Sequence, residues 1–160
     1  MGLFFNKLQE NISDSILPVA AKQEIMCSRL PQINTSKIFL KRGEYCVYID
    51  KAILNVEETK KLYKHAGGSA PGLFKGTRIN TGRGWTKDYT EIKQYKGILY
   101  ITNKRTIFQA NEKGFEKNNS TLSAIDPYSN AVILQFGQKT FHLVVPDGSI
   151  VNHVYKLVCQ

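Results

Sequence analysis

The stretch at 97–110, Gly-Ile-Leu-Tyr-Ile-Thr-Asn-Lys-Arg-Thr-Ile-Phe-Gln-Ala, constrains the fold more than any other part of this chain. Leu99 and Ile101 alternate with Ile98 and Tyr100, so both faces of its first half are apolar, as in a strand covered on two sides. Asn103-Lys104 is a two-residue turn signal, because Asn tolerates the positive φ that such turns need. The chain then returns through Ile107 and Phe108. The whole reads as the central hairpin of an antiparallel sheet.

Short strands continue downstream at 115–117, 122–125, 131–136 and 140–145, separated by turns at Asn111-Glu112-Lys113-Gly114, at Asn118-Asn119, at 126–130 and at 137–139. Upstream, a period of two sets Tyr45, Val47 and Ile49 against Cys46 and Tyr48; with residues 52–56 it predicts one long strand or a bent pair. Leu62 and Tyr63 precede a glycine-rich turn, with Leu73, Phe74 and Ile79 after it; Trp85, Tyr89, Ile92 and Tyr95 lead into the hairpin. Pro146 ends the strands. Asp147 is a candidate N-cap, and Ile150, Val151, Val154, Leu157 and Val158 fall at helical spacing, so a C-terminal helix follows. Strands this short and regular, with one closing helix, argue for a sandwich or barrel rather than alternating βαβ units.

Residues 3–26 read as a helical segment interrupted at Pro18, either one bent helix or two short ones. Its apolar stripe, Phe4, Phe5, Leu8, Ile12 and Ile16, packs on the domain or on a second subunit, which makes homo-oligomerisation through this helix an expectation. Residues 27–43 have the loop character of a connector. The expected organisation is an N-terminal helical appendage and connector over 1–37 and a β domain over 38–160.

The net charge of +9 is concentrated. Lys60, Lys61, Lys64, Lys75, Arg78, Arg83 and Lys87 lie between positions 59 and 87 with no acidic residue among them, leaving 15 basic against 13 acidic elsewhere. Such a segment attracts phosphates of lipid head groups or nucleic acid, although a solvated basic face also accounts for it. Its glycines do not make a P-loop, since Leu73-Phe74 follow Gly72 where Lys and Ser or Thr are required.

The three cysteines, Cys27, Cys46 and Cys159, are odd in number and lack metal-ligand spacing, which favours idle thiols in a reducing compartment and excludes a zinc motif. His65, His142 and His153 are separated from one another and from any Cys, no nucleophile elbow is present, and the carboxylates fall on presumed surface turns. The expectation is therefore no enzyme, no cofactor and no metal. With no apolar run of about 20 residues and no secretory start, a cytoplasmic location is expected, peripheral at the inner membrane face if lipid is the ligand.

Gly97, Leu99, Tyr100, Thr102, Asn103, Lys104, Arg105, Ile107 and Phe108, with Gly43-Glu44 and the glycines at 67–84, carry a resemblance over residues 40–158. The chain resembles PH-like domains of the GRAM and bacterial PH type. The resemblance implies a mainly β fold of two packed, bent antiparallel sheets, a partly open barrel capped by the C-terminal helix. It also implies a non-catalytic module binding phosphoinositides, other anionic lipids or peptides. Lys75-Gly76-Thr77-Arg78 matches only loosely the basic pattern of lipid-binding members. Three readings stay open: an anionic-ligand module, a protein-interaction or oligomerisation scaffold, and a binder of single-stranded nucleic acid using Tyr63, Phe74, Trp85 and Tyr89.

Overall fold

The computed structural model describes residues 14–63 and 86–159, without the side chains of 60–63 and 86–87. In chain order these form α1 (Val19–Met26), β1 (Cys46–Tyr63), β2 (Thr86–Thr102), β3 (Arg105–Ala110), β4 (Phe115–Asn118), a 3-10 turn (Asn119–Thr121), β5 (Leu122–Pro127), β6 (Ala131–Phe136), β7 (Lys139–Val144) and α2 (Gly148–Val158). The strands make a seven-stranded sheet in the order β4-β3-β2-β1-β7-β6-β5. Two meanders, β1 to β4 and β5 to β7, therefore meet where β1 pairs with β7, with Ile53 opposite Val144 and Leu54 opposite Leu143. The fold is mainly β, antiparallel and partly open, with a helix at its C-terminal end. The described residues fall into two compact units, one drawn from Met1–Asn55 and Gln94–Gln160, the other from Val56–Lys93.

The hairpin at 97–110 forms, with Thr102 ending β2, Arg105 beginning β3 and Ile101 opposite Thr106, but its turn is a correction to the expected one, since neither Asn103 nor Lys104 takes a positive φ. Its two apolar faces enter different packing layers. Leu99 and Ile101 are fully buried, together with such residues as Val47, Leu54, Leu134, Leu143, Val151 and Val154. Tyr100 joins Ile38, Cys46 and Ile107 in a second cluster, against which Ile33, Leu40, Ile49 and Ile98 are packed. The connector is thus more than a loop. Ile33 bridges Cys46, its amide donating to the Cys46 carbonyl at 2.8 Å, and its apolar residues cover the outer side of the hairpin.

Around α1 the structure corrects the broad helical reading. Residues 14–18 are not helical, and Pro18, at ψ 139°, is the N-cap of an eight-residue helix. Proline disfavours helical backbone in the residue before it. The segment is anchored instead by Asp50, whose carboxylate accepts from the Ser15 hydroxyl at 2.5 Å and the Ile16 amide at 2.7 Å. The helical expectation for residues 3–13, with Phe4, Phe5, Leu8 and Ile12, lies outside the described residues. Ala21 and Ile25 of α1 are buried, and α1 packs on α2, which in turn packs on β5 and β6. The expected cap of α2 is present, the Asp147 carboxylate accepting from the Ser149 amide at 2.9 Å.

Candidate ligand-binding site

Of the seven basic residues singled out from the sequence, Lys60 and Lys61 lie on β1 and Lys87 on β2, while Lys64, Lys75, Arg78 and Arg83 lie outside the described residues. The glycine-rich turn, the strand expected around Leu73, Phe74 and Ile79, and Trp85 also lie outside them. The basic segment therefore joins two strands that are hydrogen-bonded neighbours in the sheet. Within the unit Val56–Lys93, Glu58 and Lys93 form an ion pair at 3.6 Å, and Tyr89 is exposed.

The best-defined polar assembly is built around the turn of the hairpin. Glu44, 7% exposed, receives a forked pair from Arg105, Nε to Oε2 at 2.7 Å and Nη2 to Oε1 at 3.1 Å. The Thr102 hydroxyl donates to Oε2 at 2.6 Å and the Lys41 amide to Oε1 at 2.8 Å. Burial alone would raise the carboxyl pKa, but these donors and the guanidinium charge outweigh it and hold Glu44 down at about 2. Arg105 also reaches Glu116 at 3.0 Å and donates to the carbonyl of Phe39. This pair is a correction to the reading of the carboxylates as surface-turn residues: Glu44 and Asp50 are both buried and each is hydrogen-bonded.

Asn103 completes the clamp. Its side chain accepts from the Tyr45 amide at 2.9 Å and donates to the Gly43 carbonyl at 3.1 Å, while its own amide donates to the Tyr45 carbonyl at 3.1 Å. Lys104 Nζ donates to the Arg42 carbonyl at 3.2 Å. Gly43 turns at φ +76°, in the region that glycine enters without steric cost. The loop at 37–43 is thereby fixed against the hairpin turn, with Lys37, Phe39, Lys41, Arg42 and Lys104 exposed around it. Phe39 is 84% exposed.

Two clefts flank this region. One, of about 490 Å³, is lined by residues that include Gln32, Asn34, Thr35, Ser36 and Leu40. The other, of about 600 Å³, is lined by residues that include Asn103, Lys104, Asn118, Ser120 and Cys159. Beside the second cleft, the turn expected at Asn118-Asn119 is present, and Asn119 is in addition a buried strut: its Oδ1 accepts from the Thr106 hydroxyl at 2.7 Å and its Nδ2 donates to the Thr102 carbonyl at 2.8 Å. Thr106 in turn meets the buried Tyr155 hydroxyl at 2.5 Å. Burial, partly opposed by that contact, pushes the Tyr155 phenol up.

Ser28 Oγ lies 3.2 Å from His153 Nε2 on the exposed side of the α1–α2 contact, and no carboxylate joins the pair among the described residues. Burial raises the Cys46 thiol to about 11, which keeps it protonated at neutral pH. No cluster of three or more metal-ligating side chains occurs among the described residues. His65 lies outside them.

No family model and no curated protein sequence matches the chain. Among solved structures, the Vps36 N-terminal PH domain matches at 13% identity and a TM-score of 0.46, over 81% of this chain and 89% of that one.

The sequence carries two signals for the clamp, but nothing in it joins them. Glu44 and Arg105 each sit between a turn and the start of a largely apolar strand, where a charge without a partner would be costly to bury. Their separation of 61 residues hides the pairing, because only the fold brings the strand entry beside the hairpin turn.

Proposed function

We propose that this chain is a non-catalytic binding module that recognises an anionic ligand, with a membrane lipid head group as the leading case, through Lys60, Lys61, Lys64, Lys75, Arg78, Arg83 and Lys87. The observation that carries the reading is the run of seven cations, with no acid among them, along the facing ends of two neighbouring strands and the chain that connects them. Cations held together in this way raise the local potential, and counter-charges on a surface are attracted cooperatively. A peripheral location at an anionic membrane face follows from the same chemistry. No described helix is long and apolar enough to cross a membrane.

The test is vesicle co-sedimentation of the wild type beside a Lys75→Glu/Arg78→Glu variant. Reversing two charges is expected to weaken binding to phosphatidylserine-containing vesicles by roughly a hundredfold or more, since each neutralised cation near such a surface is worth about 1 kcal/mol. Unchanged binding would remove the basic segment from the site. Binding that instead favours single-stranded oligonucleotides, with a steep salt dependence, would move the ligand to nucleic acid.

A second reading rests on α1. Val19 and Met26 are 70% and 61% exposed, and Ile16, just before the helix, is also exposed. An apolar strip of this kind suits self-association or partner docking, to which Phe4, Phe5, Leu8 and Ile12 would contribute. Concentration-dependent mass by analytical ultracentrifugation, abolished in Val19→Ser/Met26→Ser, is the expected sign of self-association; a monomer at every concentration would refute it.

A further inference from the structure

We propose that the loop at 37–42, which lies outside the basic segment, is a second and independent membrane contact: Phe39 enters the interface of an anionic phospholipid bilayer while Lys37, Lys41, Arg42 and Lys104 engage its phosphates. Within the sequence Lys-Ile-Phe-Leu-Lys-Arg, Ile38 is buried and Leu40 half-buried, so the inward positions of the loop are already filled. Phe39, between them, is directed to solvent and is the most exposed large apolar side chain among the described residues. A phenyl ring left in water forfeits burial that the neighbouring cluster gives to Ile38.

The loop holds that ring outward by polar bonds rather than by chance. Arg105 donates to the Phe39 carbonyl, the Lys41 amide donates to Glu44, and Lys104 Nζ donates to the Arg42 carbonyl. The carboxylate bonded to the loop, Glu44, is buried and occupied by Arg105 and Thr102, so it does not repel an approaching anion. What remains outside is one apolar ring with the exposed cations Lys37, Lys41, Arg42 and Lys104 on the same loop and turn, and the exposed Glu116 carboxylate, whose charge Arg105 pairs. That pairing selects its occupant by charge and by polarity together. An anionic bilayer supplies phosphates at its surface and an apolar boundary about 5–10 Å below, which an acidic protein face or a free phosphate does not. Preorganisation by the clamp also lowers the ordering cost on contact.

Two measurements test this in the full chain with phosphatidylserine–phosphatidylcholine vesicles. First, Phe39→Ser should lower vesicle affinity about tenfold with an unchanged circular dichroism spectrum, and Lys41→Gln/Arg42→Gln should lower it roughly fivefold per cation. Second, Phe39→Trp in a Trp85→Phe background should shift its emission to the blue and be quenched by brominated lipid in anionic vesicles. In purely zwitterionic vesicles it should do neither. Full binding by Phe39→Ser, or emission from the introduced indole that stays water-like on vesicles to which the protein is bound, would overturn the proposal. The Lys75→Glu/Arg78→Glu variant reads the basic segment alone, so its loss of binding beside an unaffected Phe39→Ser variant would refute this contact and leave the other standing.

Discussion

Replacing Arg105 with Met would leave the Glu44 carboxylate in place, buried, with only the Lys41 amide and the Thr102 hydroxyl as donors. Removing one partner of a buried pair costs more than the pair contributes, because the surviving charge has lost its compensation. The expected loss is about 3 kcal/mol, read from denaturant midpoints. The same carboxylate makes stability depend on acid. Its folded pKa of about 2 lies below the ordinary value of 4.5, so its contribution is fully present above about pH 4.5 and disappears as pH falls toward 2. Stability measured across that window should fall by about 3 kcal/mol in the wild type and less steeply in Glu44→Gln. Equal slopes for the two proteins would exclude Glu44 as the source. At this scale the sequence is only partly legible. Arg105 reads as a turn or core residue of the hairpin, but its acid partner stands 61 residues upstream, and Asn119 reads as any polar turn residue until its two buried bonds are visible.

The hairpin, taken as an element, is legible because local chemistry dictates it. Apolar residues on both strand faces require two covers, and the turn residues allow only a short connection. What local chemistry does not say is what the second cover is. It is the connector, whose Ile33, Ile38 and Leu40 are spaced too irregularly to announce a strand yet close the outer side through one bridge at Cys46. The N-terminal helix reads as too long for a related reason. Apolar residues four apart signal a helix, but Pro18 and the Asp50 anchor decide where the described part of it begins. Close strand approach gives the element its own prediction. A Cβ at Gly97 would lie 2.1 Å from the Gln109 carbonyl oxygen on the paired strand, a clash that only backbone displacement relieves. Gly97→Ala should therefore destabilise by about 2 kcal/mol and increase amide exchange across β2 and β3. A neutral substitution would show that the hairpin yields at this point.

For the whole molecule, the sheet supplies a frame and the charges supply the chemistry. The seven-stranded order and the closing helix accord with short strands at regular spacing, with turn signals that can be assigned one by one. The proposed binding surface is less legible, because convergence of side chains depends on register and loop path, which a pattern of lysines does not contain. The densest run of cations stands out in the sequence; the sparser set at 37–42 does not, and there Phe39 and the hairpin turn give four further cations a fixed setting. Both proposed sets make the same demand on a ligand, namely negative charge presented by a surface. Co-sedimentation over a series of vesicles with rising phosphatidylserine content, at low and high salt, tests that demand most directly. Bound fraction should climb with lipid charge and fall as salt screens it. Binding that is flat across the series, or as strong on neutral vesicles as on anionic ones, would contradict the account.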